Sequence, residues 1–482
     1  MVENHHGAHL KVRVRKDQMN TTIANRIYIE DPSDEVVQWA KDTLRFPNPE
    51  YEKKQRMGFW VGRTPKELRL YEWDGNTLIL PFGVVRELMP MLRNTTVYTD
   101  FRQNNVIDYG KTDMHLFDYQ KEAVLRMVEA KYGILKAGCG SGKTNCGLAL
   151  IKAFRRRALW LCNKHDLIKQ SMDRAEQFFD KSLFGKITEG RVEVGIGITF
   201  STVQTLSRLD LSRFRDYWDV IIVDECHSVC ASASTFTMYE KVLNSLAARH
   251  RYGLTATDHR ADGLIKATFA LLGNVAYEIP KEATADRVTD VLIRTIPTDT
   301  DITDDCLGTD GMIDFTKLLK HIITDDARNK LIANKIMEEK NRSCIILSDR
   351  LEQLETIRNL LPYEMQEQSV YINGKMTSKK AKAEREQALE QMRTGEKKYF
   401  FGSYRIAREG LDVPCLERLF MASPVKDAAV VEQSVGRIRR TSESKKGIPI
   451  VYDFKDENIG MCVGWYKKRC SIYRKMGAEI EK

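Results

Sequence analysis

The sequence predicts an α/β protein in which two tandem lobes, each a parallel sheet flanked by helices, follow a small N-terminal α+β accessory domain. Three observations support this fold class. Two blocks of the 482-residue chain alternate short apolar strand candidates with helical stretches, which is the pattern of βαβ units in a parallel sheet. A glycine-rich turn follows the first strand candidate of the first block. An acidic, threonine-rich stretch separates the two blocks.

Residues 1–110 form the predicted accessory domain. Apolar residues alternate with Lys11, Arg13 and Arg15, which predicts a strand with one basic face. Residues 33–44 predict a helix with Ser33 as its N-cap. Residues 69–73 and 77–80 flank an Asp-Gly turn, which is typical of a β-hairpin.

The two repeating blocks define the predicted lobes. The first lobe, residues 111–290, has strand candidates at 133–137, 158–162, 196–200, 220–223 and 251–255. The second lobe, residues 325–457, has strand candidates at 343–347, 370–372, 398–401, 418–421 and 449–454. Residues 291–324 are predicted to be a linker, because TDTDITDDCLGTDG is acidic and poor in large apolar residues. Residues 458–482 predict a basic C-terminal helix.

Composition excludes several classes of protein. With 42% hydrophobic and 30% charged residues, the chain is neither collagen-like nor broadly disordered. No apolar run reaches the roughly 18 residues of a membrane span, and the N-terminus lacks the apolar core of a signal peptide. The ten cysteines show no CxxC pair. We therefore expect a soluble protein with reduced thiols inside a cell, cytoplasmic in a bacterial or phage-infected host.

The sharpest motif is a candidate phosphate-binding loop that opens a helix. Glycines let backbone N–H groups approach phosphate oxygens, and the helix start adds its dipole. Lys143 is placed to reach β- and γ-phosphates, and Thr144 to give a hydroxyl to Mg²⁺. A plain helix-capping loop with an exposed lysine is the alternative interpretation. The loop residues are Ala137, Gly138, Cys139, Gly140, Ser141, Gly142, Lys143 and Thr144, with alanine where the GxxxxGK[ST] pattern begins with glycine.

The second chemical motif is VIIVDECH at residues 220–227. Four apolar residues followed by Asp224 and Glu225 predict a buried strand that delivers two carboxylates to the C-terminal edge of a parallel sheet. Asp224 is expected to hold Mg²⁺ through water, and Glu225 to orient and deprotonate an attacking water. His227 is expected to connect this site to its neighbours by hydrogen bonding.

Further motifs follow in a fixed order. Residues 116–124 precede the phosphate loop, and the remaining stretches are 158–164, 198–206, 253–257, 347–350, 407–414 and 433–440. This series, over roughly residues 113–475, resembles the superfamily 2 helicases, and within them the XPB-like group and the phage branch-migration helicases. The resemblance implies two RecA-like domains with ATP in the cleft between them.

The resemblance also implies roles for single residues. Gln120 would contact the adenine, and Thr255, Ala256 and Thr257 would couple hydrolysis to lobe movement. In the second lobe, Arg437 and Arg440 would face the γ-phosphate, where planar guanidiniums offset its charge. The other nucleotide contacts of that lobe would be Gly410, Asp412 and Gln433.

Three positions depart from the family pattern. Asp258 stands where the XPB-like pattern usually has proline after Thr257. The arginine often found before Tyr119 is absent. Gly402 and Ser403 replace the more usual Ala-Thr pair, although the Ser403 hydroxyl can still meet a phosphate.

A nucleic-acid strand is expected to lie across both lobes, held by its phosphates without sequence selection. The positions that match the family pattern are Asn163, Lys164, Thr202, Gln204, Ser348, Arg350, Ser403 and Tyr404, although each is equally compatible with a solvated polar side chain. Aromatic residues at 51, 59, 60, 71 and 73 either help the accessory domain contact a duplex or junction, or fill its core. The C-terminal helix either packs on the second lobe or touches nucleic acid.

The predicted function is an ATP- and Mg²⁺-dependent DNA helicase or translocase that remodels forks, Holliday-type junctions or R-loops in replication, recombination or repair. The expected partner is double-stranded or branched DNA, with no membrane association and a monomeric chain. The net charge of +9 is compatible with a polyanion partner. A duplex-RNA helicase and a motor-like scaffold subunit of a defence or restriction complex remain as alternatives.

Overall fold

The computed structural model describes residues 20–481, apart from 63, 94, 102–103, 111–113, 139, 231–232, 257–263, 281, 284–288, 309–310, 373–378, 409–410, 412, 441 and 443. The described chain divides into two compact units. The first contains residues 20–137 and 143–279, and the second contains residues 138–142 and 280–481. The predicted basic strand with Lys11, Arg13 and Arg15 lies outside the described residues.

The first unit begins with a small mixed α/β segment, residues 20–99. Its strands are β1 (Asn20–Ile23), β2 (Arg26–Glu30), β3 (Arg45–Pro47), β4 (Glu67–Arg69), β5 (Glu72–Asp74), β6 (Thr77–Pro81) and β7 (Thr96–Thr99). Its helices are α1 (Asp34–Thr43), α2 (Pro49–Arg56) and α3 (Val85–Leu88). The sheet order is β5-β6-β2-β1-β7, and β3 and β4 form a separate antiparallel ladder.

Two local predictions for this segment are confirmed, one with a shorter strand. Ser33 caps α1, since its hydroxyl accepts a hydrogen bond from the backbone N–H of Val36 at 3.4 Å. The hairpin β5–β6 closes through Gly75 in the left-handed conformation, with φ of 57°. Its first strand begins at Glu72, because the preceding residues, Glu67–Arg69, pair with β3 instead.

The rest of the first unit is a twisted sheet between helices. Its strands are β8 (Gly133–Lys136), β9 (Ala158–Cys162), β10 (Phe184–Thr188), β11 (Arg191–Val192), β12 (Ile198–Thr202), β13 (Val220–Asp224), β14 (His250–Thr255) and β15 (Val275–Glu278). Its helices are α4 (Asp118–Ala130), α5 (Lys143–Phe154), α6 (His165–Ala175), α7 (Val203–Leu206), α8 (Ala233–Ser245) and α9 (Ile265–Leu272). The order is β11-β10-β12-β9-β13-β14-β8-β15, and every neighbouring pair except β10–β11 is parallel.

The described part of the predicted accessory domain shares a hydrophobic core with this sheet. Residues such as Ile29 and Leu80 belong to the same cluster of buried side chains as Leu271. Gly83 lies so close to α9 that a Cβ there would come within 2.4 Å of the Phe269 carbonyl oxygen. The contact division accordingly places residues on both sides of position 110 in a single unit.

Arg251 joins the two parts of this unit. Its guanidinium is fully buried and donates hydrogen bonds to the backbone carbonyls of Leu243, Leu246, Ala248 and Asn25 at 2.8–3.2 Å. It also lies over the Phe82 ring, 4.2 Å from the centroid. Burial lowers the pKa of Arg251 to about 9. Asn25 and Phe82 come from the N-terminal segment, so one side chain from β14 binds both.

The second unit is built around a seven-stranded sheet. Its strands are β16 (Leu292–Thr298), β17 (Cys344–Ser348), β18 (Ser369–Ile372), β19 (Tyr399–Ser403), β20 (Arg418–Met421), β21 (Ile450–Asp456) and β22 (Glu479–Ile480). Its helices are α10 (Phe315–Thr324), α11 (Asp326–Glu338), α12 (Leu351–Asn359), α13 (Tyr363–Glu367), α14 (Lys379–Arg393), α15 (Tyr404–Arg408), α16 (Ala428–Ile438) and α17 (Gly460–Lys475). The order is β18-β19-β17-β20-β21-β16-β22, with parallel neighbours throughout. The predicted α/β class with two parallel sheets is confirmed.

The linker predicted at 291–324 is wrong over much of its length. Residues Leu292–Thr298 form β16, between β21 and β22, and residues Phe315–Thr324 form α10. Residues of the stretch that predicted a linker have partners in the fold: the Thr298 hydroxyl donates to Asp456 at 2.8 Å, and the Thr300 hydroxyl donates to Asp325 at 2.6 Å. The second unit also begins at Pro280, ahead of the predicted lobe boundary at 290.

The C-terminal helix packs on the second sheet. Within α17, Arg469 pairs with Asp453 of β21 at 2.7 Å, and both side chains are buried. The Tyr473 hydroxyl donates to the same carboxylate at 2.8 Å. The inward face of this basic helix therefore packs on the sheet of the second unit, which is one of the two alternatives that the sequence left open.

Candidate nucleotide and nucleic-acid sites

The phosphate loop connects β8 to α5 within a strand–loop–helix arrangement. Gly140 and Gly142 have φ values of 84° and 78°, which glycine adopts without strain. The Ser141 hydroxyl donates to the Gly138 carbonyl at 2.8 Å, and Lys143 Nζ donates to the Ala137 carbonyl at 3.1 Å. The loop thus closes onto a helix start, whose first N–H groups lack partners within the helix. Cys139 lies outside the described residues.

The carboxylates follow β13, in which all five residues are buried. Asp224 Oδ1 accepts the N–H of Glu225 at 3.0 Å, and Oδ2 accepts the Ser171 hydroxyl at 3.4 Å. Burial, together with the neighbouring Glu225 charge, raises the pKa of Asp224 to about 7, while the Lys143 charge acts in the opposite direction. The phosphate-loop lysine and the strand-end carboxylate therefore act on each other electrostatically.

Glu225 is held in an unusual backbone conformation beside His227. It is a non-glycine residue with φ of 49°, a left-handed conformation that concentrates at functional sites. Its Oε2 lies 3.2 Å from His227 Nδ1, which is also 3.3 Å from the Thr255 hydroxyl. The carbonyl of Thr255 in turn accepts the N–H of Ala137 at 2.9 Å. A chain of contacts thus connects the carboxylate pair, the end of β14 and the start of the phosphate loop.

The family's metal ion fits these residues. Asp224 is 6% exposed, and its hydrogen-bond donors are a hydroxyl and an N–H, so a carboxylate there gains from a nearby cation. Thr144, the second residue of α5, adds a half-buried hydroxyl. Oxygen donors in small number suit Mg²⁺, which keeps several waters and binds substrate phosphates. Within the described residues no cluster of three His, Cys, Asp or Glu side chains forms a metal site, and the nine described cysteines are free thiols.

The structure also gives the positions of two other predicted site residues of the first unit, Gln120 and Ala256. Gln120 is 1% exposed near the start of α4, and its Oε1 accepts the Phe117 N–H at 3.1 Å. Its carboxamide is thus fixed relative to the helix start. Ala256 is half-buried directly after β14, and Thr257 lies outside the described residues.

In the second unit, α16 carries the candidate γ-phosphate residues. Arg437 Nε donates to the Ala407 carbonyl at 2.8 Å and Nη1 donates to the Leu411 carbonyl at 3.2 Å. This guanidinium holds the backbone on both sides of residues 408–410. Gln433 is 9% exposed, and its Oε1 has no hydrogen-bond partner among the described residues. Gly410 and Asp412 lie outside the described residues.

Arg440 follows the end of the same helix. Its side chain is half-buried, and Lys445 Nζ contacts both its carbonyl and that of Ile438. Lys445 therefore supplies a cation at the C-terminal end of α16, where the helix dipole favours one.

Three predicted nucleic-acid contacts have side chains turned into the protein. The Thr202 hydroxyl caps α7 and contacts the Thr205 hydroxyl at 2.9 Å. The Ser348 hydroxyl donates to Gln353 Oε1 at 2.6 Å, and the Tyr404 hydroxyl donates to the Ser423 carbonyl at 2.8 Å. All three residues are at most 2% exposed, so their hydroxyls do not face solvent, and their assignment as nucleic-acid contacts stays a prediction.

The remaining predicted contacts are more accessible. In the first unit, Gln204 Nε2 donates to the Asn163 carbonyl at 3.0 Å, and Lys164 is the half-buried neighbour of Asn163. In the second unit, Arg350 is exposed, and Ser403 is half-buried at the end of β19, paired in register with Ser348. The structure thus gathers these residues at one strand end in each unit.

Sequence motifs did not indicate two residues that support the site. Ser171 contacts Asp224 from α6, and Lys445 braces the carbonyls beside Arg440. Ser171 lies 53 residues from Asp224, so no local spacing signals the pair. A lysine soon after an arginine-rich helix end is equally typical of a solvated surface.

Comparisons with known proteins match both units. The family model described as the res subunit of type III restriction enzymes matches residues 113–260, and the helicase conserved C-terminal domain matches residues 326–442. Within the described residues no helix is long and apolar enough to cross a membrane.

Two relatives and one solved structure extend the comparison. The putative ATP-dependent RNA helicase L396 of Acanthamoeba polyphaga mimivirus is 27% identical over 427 residues, 86% of this chain and 77% of that protein. The DNA 3'-5' translocase XPB2 of Sulfurisphaera tokodaii is 25% identical over 381 residues, 71% of this chain and 84% of that protein. The structure of the ATP-dependent type ISP restriction-modification enzyme LlaBIII bound to DNA aligns with a TM-score of 0.55 at 16% identity, covering 84% of this chain and 33% of that one.

Proposed function

Since the chain belongs to the superfamily 2 helicases and is a nucleic-acid-dependent ATPase, we propose that it is a DNA translocase or helicase that remodels forks, Holliday-type junctions or R-loops. The similarity to an archaeal protein named as a DNA 3'-5' translocase supports DNA as the polymer. The net charge of +9 is compatible with that partner.

One observation carries the ATPase part of the proposal. Lys143 and Asp224 interact electrostatically, and Glu225, His227 and Thr255 lie in contact beside them. A cation for phosphates, a carboxylate for a metal ion and a second carboxylate for a water proton are the groups that phosphoryl transfer to water requires.

Each side chain then has a defined task. Lys143 binds the β- and γ-phosphates, and the phosphate-loop N–H groups orient them. Thr144 and Asp224 are the oxygen donors that would hold Mg²⁺, which when bound neutralises charge on the phosphates. Glu225 accepts the proton of the attacking water, and His227 keeps the Glu225 carboxylate in place through their 3.2 Å contact.

The same contacts provide a route for coupling hydrolysis to movement. His227 contacts Glu225 and the Thr255 hydroxyl with the same ring nitrogen, so loss of charge near Glu225 changes the hydrogen bond between His227 and β14. Arg437 and Arg440 supply positive charge to the γ-phosphate in this proposal. Removal of the γ-phosphate would release that interaction, which is the usual switch of nucleotide-driven motors.

A duplex-RNA helicase is the second candidate, because the mimivirus relative carries an RNA helicase name. ATPase rates measured with single strands, duplexes, forks and four-way junctions of both DNA and RNA separate the two. We expect forked or four-way DNA to stimulate turnover most. Stimulation by duplex RNA alone would instead establish the second candidate.

Glu225→Gln tests the chemistry. We expect this variant to bind ATP normally and to lose at least about 100-fold in turnover, the range for a general base. Glu129→Gln is the matched control, because Glu129 is an exposed residue of α4. Turnover by the Glu225→Gln variant at the wild-type rate would refute the assignment. A wild-type chain that binds ATP without hydrolysing it on any polymer would instead favour a motor-like scaffold.

A further inference from the structure

A braced loop projects from the N-terminal segment of the first unit. The ladder between β3 and β4 closes its base, and Asn48 adds two bonds across it, from its N–H to the Lys66 carbonyl at 3.0 Å and from Nδ2 to the Pro65 carbonyl at 2.8 Å. We call residues 57–62, which follow α2, the aromatic loop. Its two ends are therefore tied to a fixed frame.

The end of α2 sets the direction of the aromatic loop. Gly58 has φ of 67°, and the Phe59 N–H donates to the Lys54 carbonyl at 2.8 Å, which terminates the helix. Immediately beyond this turn, Phe59 is 62% exposed and Trp60 is 86% exposed. Two adjacent aromatic rings in solvent do not contribute to a core, so they suit contact with a ligand.

Trp60 is exposed, and one edge of its indole lies beside Gly62. A Cβ on Gly62 would come within 2.7 Å of Cζ3 of the indole, so the ring lies directly against the Gly62 backbone. Gly62 also has φ of 52°, which favours glycine. One edge of the indole thus lies against the loop backbone, while most of the ring surface remains accessible to a base that stacks on it.

Cationic residues flank the aromatic loop in the sequence. Arg56 at the end of α2, Lys66 before β4 and Arg69 at the end of β4 all have exposed side chains. Lys54 has a fixed position, paired with Glu50 at 2.8 Å and donating to the Thr64 hydroxyl at 2.7 Å. Aromatic rings among cations match a single-stranded nucleic acid, which offers unstacked bases and phosphates together.

A cavity of about 400 Å³ adjoins the aromatic loop. Lys54 and Trp60 line one side, and Phe236 and Glu240 of α8 line the other. A cavity of this size admits a flat ring the size of a nucleobase. Helix α8 follows the carboxylate pair in the chain, so a ligand seated here contacts both the N-terminal segment and the helix after the ATPase motif.

We propose that the aromatic loop binds unpaired nucleobases, with one base stacked on Trp60 and its neighbours' phosphates held by Arg56 and Lys66. The inference rests on the proposed function, because it assigns a strand-separating contact to a nucleic-acid motor. It is specific for unpaired bases, since a paired duplex presents no free base face to the indole.

The test compares Trp60→Ala and Trp60→Phe with Trp73→Ala, a control at an exposed tryptophan on strand β5. Fluorescence anisotropy at one fixed salt concentration gives the affinities for a labelled DNA single strand and for a blunt duplex. Loss of one stacked base corresponds to roughly 1–3 kcal/mol, or about a 5- to 150-fold weaker single-strand affinity. We expect that loss for Trp60→Ala, a smaller one for Trp60→Phe, and no change in blunt-duplex affinity.

Gly62→Ala supplies a second variant that keeps the indole but moves it. We expect weaker single-strand binding with unchanged blunt-duplex affinity, because the added methyl displaces an exposed side chain, and a lower melting temperature, because alanine is strained at a φ of 52°. Single-strand affinity in Trp60→Ala equal to wild type, or an equal loss for single strands and duplexes, would overturn the proposal. Either result leaves the effect of Glu225→Gln on turnover intact, so failure of the loop and failure of the motor assignment are distinguishable.

Discussion

Replacing Asp224 with asparagine is expected to stabilise the nucleotide-free protein at pH 8 while abolishing ATP turnover. Asp224 is 6% exposed, and its donors are the Glu225 N–H and the Ser171 hydroxyl. An asparagine side chain keeps both contacts, because its oxygen accepts the N–H and its amide donates to the hydroxyl. The substitution therefore removes a buried negative charge without changing the shape of the site.

The magnitude follows from the pKa of Asp224, which burial raises from the usual 3.8 to about 7. Below pH 4 both folded and unfolded chains hold this proton. Between about pH 4 and 7 only the folded chain holds it, so folding stability falls as pH rises through this window and is lowest above pH 7. The full difference corresponds to about 4 kcal/mol, of which about 1 kcal/mol falls between pH 6 and 8.

Urea denaturation followed by tryptophan fluorescence measures the effect. Trp160 and Trp218 are buried in the first unit, so their emission reports its unfolding. Both proteins are measured with EDTA at pH 6 and pH 8. The wild type should lose about 1 kcal/mol more than Asp224→Asn over this interval, because only the wild type has a carboxyl group at this position that titrates there.

Two results would contradict this reasoning. Equal pH dependence in both proteins would mean that Asp224 is already ionised at pH 6. A less stable Asp224→Asn variant at pH 8 would mean that the carboxylate is compensated within the folded chain. Ser171→Ala is a useful companion, because it removes one donor to the carboxylate and should shift the Asp224 titration to higher pH.

Two further predictions concern arginines that bind backbone carbonyls. Arg251→Met leaves buried carbonyls without donors, so it should lower the free energy of unfolding of the first unit by about 3–5 kcal/mol, measured by urea denaturation. The exposed Arg249→Met is the control, and a loss below about 1 kcal/mol for Arg251→Met would contradict the prediction. Arg437→Lys keeps the charge, but a lysine cannot donate to the Ala407 and Leu411 carbonyls together. We therefore expect ATP turnover to fall about 10- to 100-fold while ATP affinity stays nearly unchanged. Turnover within two-fold of the wild-type rate would refute this prediction.

The nucleotide motifs were readable in the sequence because their geometry is local. The phosphate loop needs only a strand, positive-φ glycines and a helix start, and these lie within Gly133–Lys136, Gly140, Gly142 and Lys143–Phe154. The acid pair likewise follows directly from an apolar strand that ends in carboxylates. The residue pattern of each motif is therefore local, although distant residues such as Thr255 and Ser171 also contact the folded site.

Side-chain direction was not readable in the same way. Thr202, Ser348 and Tyr404 match the family pattern by position, but their hydroxyls bind Thr205, Gln353 and the Ser423 carbonyl. Those partners depend on which helix packs beside each strand end. A motif specifies the residue at a strand end, and the tertiary packing decides whether its hydroxyl faces the ligand or the core.

Long-range partners explain the remaining misses. Strand β16 fell within the predicted linker, although its Arg294 pairs with Glu481 across 187 residues. Arg251 reaches Asn25 across 226 residues, and this contact joins the accessory segment to the first sheet. Because the partner of each arginine is distant in the sequence, no local pattern indicated that β16 belongs to a sheet or that the accessory segment shares a core with the first sheet.

A comparison of the buried aspartates in the two units indicates that Asp224 serves to bind a ligand and does not stabilise the fold. In the second unit, Asp453 and Asp456 lie in the core, and each has an arginine partner at 2.7 Å. Asp224 is nearly as buried, yet its hydrogen bonds come from a hydroxyl and an N–H, and its pKa is raised to about 7. Removing a structural carboxylate would leave an arginine uncompensated, whereas removing Asp224 relieves a cost of burial. A fold retains such a cost where the charge is needed for a cation that arrives with the substrate, which is why one substitution should raise stability and abolish turnover together.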